Sequence, residues 1–127
     1  MTTLVVTAAI IERDDCFLIT RRLKGTHLAG HWEFPGGKTE PGESLDECLR
    51  RELLEELATD ADVGDEVFSI AHDYGDRRVQ LHFFRCELRN EPQPQLGQEM
   101  RWAPRGELDQ IAFPPADAAL IQLLMKR

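Results

Sequence analysis

The stretch GKTEPGESLDECLRRELLEELAT, Gly37 to Thr59, decides the fold, and its second half reads as a helix on independent counts. Ser44 followed three residues later by Glu47 has the spacing of a capping box. Leu45, Leu49, Leu53 and Leu57 recur at every fourth position and form one apolar stripe, so a helix is expected from Ser44 to about Ala58. On that helix Glu52, Glu55 and Glu56 stand at i, i+3 and i+4 and share a face beside the stripe, where like charges repel. Glutamate is a good helix former, and a run of charge is usually a solvated face. Two features argue for more. Arg51 lies four residues before Glu55 and can fix that carboxylate by charge-assisted hydrogen bonds. The preceding loop carries Gly36, Gly37 and Gly42 near Lys38, and residues without Cβ let the backbone approach a ligand closely. Oxygen ligands this dense are what Mg²⁺ or Mn²⁺ demands, and such a cation would remove the repulsion.

Outward from this segment, LVVTAAII (4–11) and CFLITRR (16–22) are β-branched apolar runs separated by ERDD, expected as two strands joined by a tight turn. HWEF (31–34) reads as a short strand entering PGGKTEPGES (35–44), whose glycines and prolines predict a loop. EVFSIAHDY (66–74) and RVQLHFFRCEL (78–88) flank Gly75-Asp76 as strand, turn and strand, and QEMRWAP (98–104) adds a further strand. PADAALIQLLMKR (115–127) predicts a helix entered through prolines and closed by basic residues that suit its C-terminal dipole. The expected class is α/β or α+β, a mixed β-sheet covered by helices, in a single domain spanning residues 1–127.

An apolar fraction of 42% with 30% charged residues describes a globular chain, not a disordered one. The net charge of −8 excludes a basic footprint for nucleic-acid polymers or anionic membranes, so a polyanionic small molecule would need local cations. The first residues lack the pattern of a signal peptide, and no window is long and apolar enough to span a bilayer. Cys16, Cys48 and Cys86 are odd in number and form no CxxC pair, which predicts reduced packing thiols and a cytoplasmic location.

Gly37 to Thr59 resembles the box of the Nudix hydrolases, G-x5-E-x7-R-E-U-x-E-E-x-G-U with U aliphatic, at Gly37, Glu43, Arg51, Glu52, Leu53, Glu55 and Glu56. LITRR, WEFPGGK and FPPAD extend the likeness to MutT-type members along nearly the whole chain. The resemblance implies the Nudix fold, a mixed sheet between helices, and hydrolysis of a nucleoside diphosphate linked to another moiety. One departure stands out: Ala58-Thr59 replaces the closing Gly-aliphatic pair. Alanine in the left-handed conformation there would cost about 1 kcal/mol, and a slightly longer helix would avoid it.

Carried over residue by residue, the resemblance gives Glu52, Glu55 and Glu56, with the Gly36 carbonyl, as ligands of one or more Mg²⁺ (or Mn²⁺) ions, and a nucleoside monophosphate and pyrophosphate as products. Glu99 in GQEMRW is either a loop glutamate serving as ligand or base, or an ordinary surface residue. Glu43 is expected to orient Arg51 or a water rather than to bind metal. Lys38 and Arg22 are the phosphate cations, Arg22 rather than Arg21 because strand alternation puts only one of that pair on the site face. Phe34 is a candidate to stack on the base. Trp32 and Trp102 are expected as core or pocket wall, and the four histidines show no metal-ligand spacing.

Asp117 ends FPPAD where the best-known MutT-like pattern has Asn. An ionised carboxylate only accepts, which suits the amino group of cytosine or an N–H edge of guanine, whereas a protonated one imitates an amide. Dipole and burial pull its charge in opposite directions, and capping the last helix is a further reading. The expected activity is a nucleoside triphosphate pyrophosphohydrolase acting on 8-oxo-dGTP and related oxidised guanine nucleotides in pool sanitation. The alternatives are a CTP, dCTP or 5-methyl-dCTP enzyme, and a Nudix module that binds nucleotides without cleaving them. The expected partner is a small nucleotide, with no nucleic-acid polymer and no membrane, and the chain is expected as a monomer or homodimer.

Overall fold

The computed structural model describes residues 2–126. Its strands are β1 (Thr2–Ile10), β2 (Glu12–Arg13), β3 (Cys16–Arg21), β4 (Trp32–Glu33), β5 (Gly36–Lys38), β6 (Ala61–Asp73), β7 (Arg77–Leu88) and β8 (Met100–Pro104); its α-helices are α1 (Leu45–Leu57) and α2 (Ala118–Met125). Short 3-10 helices run over Arg105–Gln110 and Pro115–Asp117. One sheet has the order β5-β1-β7-β6 and is mixed, since β1 runs parallel to β7 while β5 and β6 are antiparallel to their neighbours. The other centres on β3, which pairs antiparallel with β2, β4 and β8.

β1 explains why two layers of core exist. Ala8 and Ile10 face one cluster with Phe17, Ile19, Phe83 and the α2 residues Leu120, Ile121 and Leu124. The alternate positions Ala9 and Ile11 face the other, with Leu18 and the α1 residues Leu49, Leu53 and Leu57. A strand buried on both faces must be apolar throughout, which is why LVVTAAII shows no polar alternation. Each fully buried leucine contributes roughly 1.5–3 kcal/mol, so the two clusters clamp α1 and α2 on opposite sides of β1. The expected mixed sheet between helices is what the chain forms.

Four local expectations are corrected. LVVTAAII and CFLITRR do not form one hairpin. Glu12 and Arg13 are a strand of their own, Asp14 and Asp15 take positive φ of 53° and 63° as the turn, and β1 and β3 enter different sheets. The segment expected as a loop from Pro35 contains β5, whose Gly36 lies opposite Ala8 of β1. β6 begins at Ala61 rather than Glu66, because irregular pairing between Val63 and Phe68 breaks the alternation a sequence reading depends on. The last helix starts at Ala118 after a 3-10 turn; of its expected basic end, Lys126 follows the helix and Arg127 lies outside the described residues. No helix of the described residues is long and apolar enough to cross a membrane.

Candidate functional site

Helix α1 is fixed first at its N-terminus. Ser44 Oγ accepts from the Glu47 amide at 3.1 Å and Glu47 Oε1 accepts from the Ser44 amide at 2.9 Å, which closes the capping box. With Leu49, Leu53 and Leu57 wholly buried, the helix cannot rotate, and its glutamate face is held toward β5. The glycines of β5 also have a steric reason within the protein. A Cβ on Gly36 would lie 2.0 Å from the Thr7 carbonyl oxygen, and one on Gly37 would lie 2.5 Å from Glu52 Oε1. Both admit neighbouring protein groups, and Gly37 brings its backbone against the Glu52 carboxylate.

Arg51 is the hub of this face. Its Nε and Nη2 donate to Glu43 Oε2 and Oε1, its Nη1 donates to Glu52 Oε1 at 2.9 Å and Glu55 Oε2 at 3.3 Å, and its Nη2 also reaches the Lys38 carbonyl at 3.0 Å. The Glu43 carboxyl is held down at about 2, by Arg51 first and then by the Glu40 amide, so Glu43 is a partner that aims the guanidinium. Glu55 is more exposed and more loosely held than Glu43 and Glu52.

Glu56 stands apart from this network. Its Oε2 accepts from the Gly36 amide at 3.1 Å, and burial, with Glu52 and Glu33 nearby, pushes its carboxyl up to about 8. Burial also raises Glu52, against the opposing pull of Arg51, and raises Glu33 against Arg22. One guanidinium therefore serves Glu40, Glu43, Glu52 and Glu55, while Glu56 forms no ion pair among the described residues. A donor set made only of oxygens and short of positive charge fits a hard divalent cation. Among the described residues no three acidic, His or Cys side chains already converge as a metal cluster. Glu99 in particular is not brought to the helix face: its exposed carboxylate rests on Arg21 Nη1 at 3.1 Å.

Beside Glu56 opens a cavity of about 480 Å³. It brings together Arg22, Phe34, Gly36, Gly37, Lys38, Glu56 and Asp117, but not Glu43, Arg51, Glu52, Glu55 or Glu99. Arg22, the residue after β3, lines it and Arg21 does not; the Arg22 Nη1 is engaged by Glu33 at 2.8 Å. Lys38 forms no ion pair among the described residues, so its charge is available. Phe34 is corrected from stacking platform to wall, since it is 3% exposed, stacked on Phe113 at 5.1 Å and edge-on to Phe83. Asp117 is 5% exposed and faces the cavity. It makes no side-chain cap bond to α2, which removes the capping reading, and its side chain has no hydrogen-bond partner among the described residues. Burial, with Glu33 across the cavity, raises its carboxyl to about 7.

Glu33, Tyr74, Arg77 and His27 also line the cavity and went unassigned in the sequence. Tyr74 packs against His27 at 5.0 Å and His72 at 4.4 Å, joining the loop after β3 to the end of β6. A charged residue inside the apolar string HWEF was the signal for Glu33. For Tyr74 and Arg77 no local signal exists, because long-range pairing alone carries them to the cavity.

At the ends of α1, the expected escape from a left-handed alanine is not taken. The helix stops at Leu57, and Ala58 adopts φ 55°, ψ 35°. Thr59 follows wholly buried, its hydroxyl bonded to Asn90 Oδ1 at 3.0 Å, while Asn90 Nδ2 donates to the Ala58 carbonyl at 3.1 Å. Asn90 thus supplies the closure that a glycine would otherwise favour.

Comparison with known proteins matches residues 6–123 to a family described as the NUDIX domain. The chain is 39% identical over 121 residues to a CTP pyrophosphohydrolase of Escherichia coli, covering 94% of this chain and 90% of that protein. It is 34% identical over 116 residues to an 8-oxo-dGTP diphosphatase of the same organism, covering 91% and 89%. The solution structure of the E. coli ORF135 protein superposes with a TM-score of 0.87 at 38% identity, covering 98% of this chain and 90% of that one.

Proposed function

The chain belongs to the NUDIX domain family and is a Nudix hydrolase of phosphoanhydride bonds, and from that premise we propose that it is a nucleoside triphosphate pyrophosphohydrolase with oxidised guanine nucleotides such as 8-oxo-dGTP as leading substrates. The observation that carries this reading is the cavity itself. It joins an acidic end at Glu56 to the carboxyl of Asp117, which opens on the cavity and has no hydrogen-bond partner among the described residues.

Nudix hydrolases generally use a divalent metal; here Mg²⁺ or Mn²⁺ would be held by Glu52, Glu55, Glu56 and the Gly36 carbonyl, with Glu99 as a further ligand or base. Bound there, the ion would neutralise phosphate oxygens and make water a better nucleophile. Arg51 keeps Glu52 and Glu55 aimed, and Glu43 keeps Arg51 in place. Lys38 and Arg22 face the same cavity and serve as cations for the triphosphate. Glu99 joins the set only by leaving Arg21. All the helix glutamates and Arg51 are in place, which speaks against a module that binds without cleaving. Three free thiols, two of them buried, suit the reducing cytoplasm.

Asp117 reads the base. Protonated, it offers a donor and an acceptor, as an amide does, and fits the edge of an oxidised guanine. A second reading, a CTP, dCTP or 5-methyl-dCTP enzyme, is favoured by the ionised form, which accepts from a cytosine amino group, and by the likeness to the CTP pyrophosphohydrolase. With the carboxyl near 7, facing Glu33, Tyr74, Arg77 and the paired Arg22, the two forms exchange around neutrality. The test is pyrophosphate release from 8-oxo-dGTP, CTP and 5-methyl-dCTP in competition, with and without Mg²⁺, at about pH 6 and about pH 8. Metal-dependent release led by 8-oxo-dGTP, with cytosine substrates gaining as pH rises, is expected. Release that leads with cytosine at both values makes the second reading the correct one, and no metal-dependent release overturns both.

A further inference from the structure

The C-terminal end of α1 is closed by a remote segment, and one side chain in that segment has a position that its burial alone does not explain. A helix leaves its last carbonyls without internal partners. Here the Leu57 carbonyl accepts from the Gln93 amide at 2.8 Å, and the Glu56 carbonyl accepts from both the Gln95 amide at 2.9 Å and Gln98 Nε2 at 3.1 Å. Gln98 is 8% exposed, and its Oε1 accepts from the Leu96 amide at 2.8 Å. Both ends of a buried carboxamide are therefore committed, which fixes its rotamer and the chain on either side of it.

The next residue is Glu99. Its backbone carbonyl accepts from the Arg21 amide of β3 at 3.0 Å, so its main chain is tied to α1 on one side through Gln98 and to β3 on the other. Only its side chain is loosely placed, in an exposed pair with Arg21, and exposed pairs of this kind are weak and readily exchanged. We propose that Gln98 is a positioning residue that locks the Glu99 backbone to the glutamate-bearing helix at the carbonyl of Glu56, so that the Glu99 carboxylate is free to move while its anchor is not. The inference rests on the reading above in which Glu56 and Glu99 serve one site.

A double-mutant cycle on pyrophosphate release tests it, with Gln98→Leu, Glu99→Gln and the pair. Gln98→Leu removes both side-chain bonds at similar volume. It is expected to lower kcat about tenfold with KM little changed, and to add less than about twofold once Glu99 is already Gln. In metal-free protein, Gln98→Leu is expected to abolish hydrogen-exchange protection of the Leu96 amide, a readout independent of turnover. If Gln98→Leu does not fold, Gln98→Glu, which keeps the acceptor for Leu96 and loses the donor to Glu56, takes its place in the cycle. Equal loss from Gln98→Leu with and without Glu99, or unchanged Leu96 protection, overturns the proposal while leaving the hydrolase reading intact. Full turnover in Glu99→Gln with wild-type metal dependence removes Glu99 from the site, and the role of Gln98 falls with it.

Discussion

At one end of the cavity Glu56 meets the Gly36 amide beside a carboxylate network centred on Arg51; at the other, Asp117 shares the lining with Glu33, Tyr74 and Arg77 and has no side-chain hydrogen-bond partner among the described residues. The first end comes from a helix and the strand just before it, within about twenty residues of sequence. Its side chains meet because a helix returns to the same face every three or four positions. The second end is assembled from the end of β4, the β6–β7 turn with the first residue of β7, and the segment before α2, which only the strand order brings together. The near end holds its charges in mutual restraint, and the far end leaves a polar group waiting. On the proposed function, catalysis would fall to a locally encoded half and recognition to a topologically encoded half.

The largest effect that would break this division is at the near end. Glu56→Gln, and likewise Glu55→Gln, is expected to lower turnover roughly 100-fold or more while leaving the fold intact, since each removes an oxygen ligand and relieves repulsion. Steady-state kinetics with thermal melts decide it, and a collapse of metal-free stability with activity unchanged would assign these residues to structure instead.

At the far end, Asp117→Asn should shift the ratio of kcat/KM between 8-oxo-dGTP and CTP by about tenfold while changing the better substrate's rate less. A uniform loss over all bases would make Asp117 structural and erase the distinction between the two ends.

The same residue gives a stability prediction with a defined sign. Its carboxyl is raised from an ordinary 3.8 to about 7, so between those values the folded chain holds a proton that the unfolded chain has released. The Asp117 contribution to stability should therefore fall as pH rises through that window and level off above about 7, beside a fall of the same sign from Glu56, whose carboxyl is raised from 4.5 to about 8. Asp117→Asn should flatten this portion of the melting-temperature profile and be the more stable protein at neutral pH. A profile unchanged by the substitution would mean that the carboxyl is not desolvated.

The smallest effect lies at the helix end. Ala58→Gly should stabilise the protein by about 1 kcal/mol in chemical denaturation, because glycine takes the left-handed conformation without the Cβ clash. No gain would show that Asn90 has already relieved the strain.

These contrasts also explain what could be read from the sequence. The capping box, the leucine stripe, the glutamate face and Arg51 were legible because each depends on spacing within one helix. That only one of Arg21 and Arg22 would face the cavity was legible from strand alternation, and Arg22 is the one that does. Phe34 was misread because its ring is taken by Phe113, nearly eighty residues on, and no local pattern reports that contact. The alternative in which Asp117 caps the last helix is not realised, because Pro115–Asp117 form a 3-10 turn and the Asp117 side chain, which lines the cavity, makes no cap bond. β5 was hidden under glycines whose purpose, close approach to Thr7 and Glu52, is visible only with the partners in place.

The most direct test of the central claim is calorimetric titration of Mg²⁺ into the protein with a non-hydrolysable nucleoside triphosphate analogue present. Uptake by the wild-type chain, weakened roughly 100-fold in Glu56→Gln, is the predicted result. Absence of any Mg²⁺ or Mn²⁺ uptake by the wild-type chain would contradict the assignment of the glutamate face as a cation site.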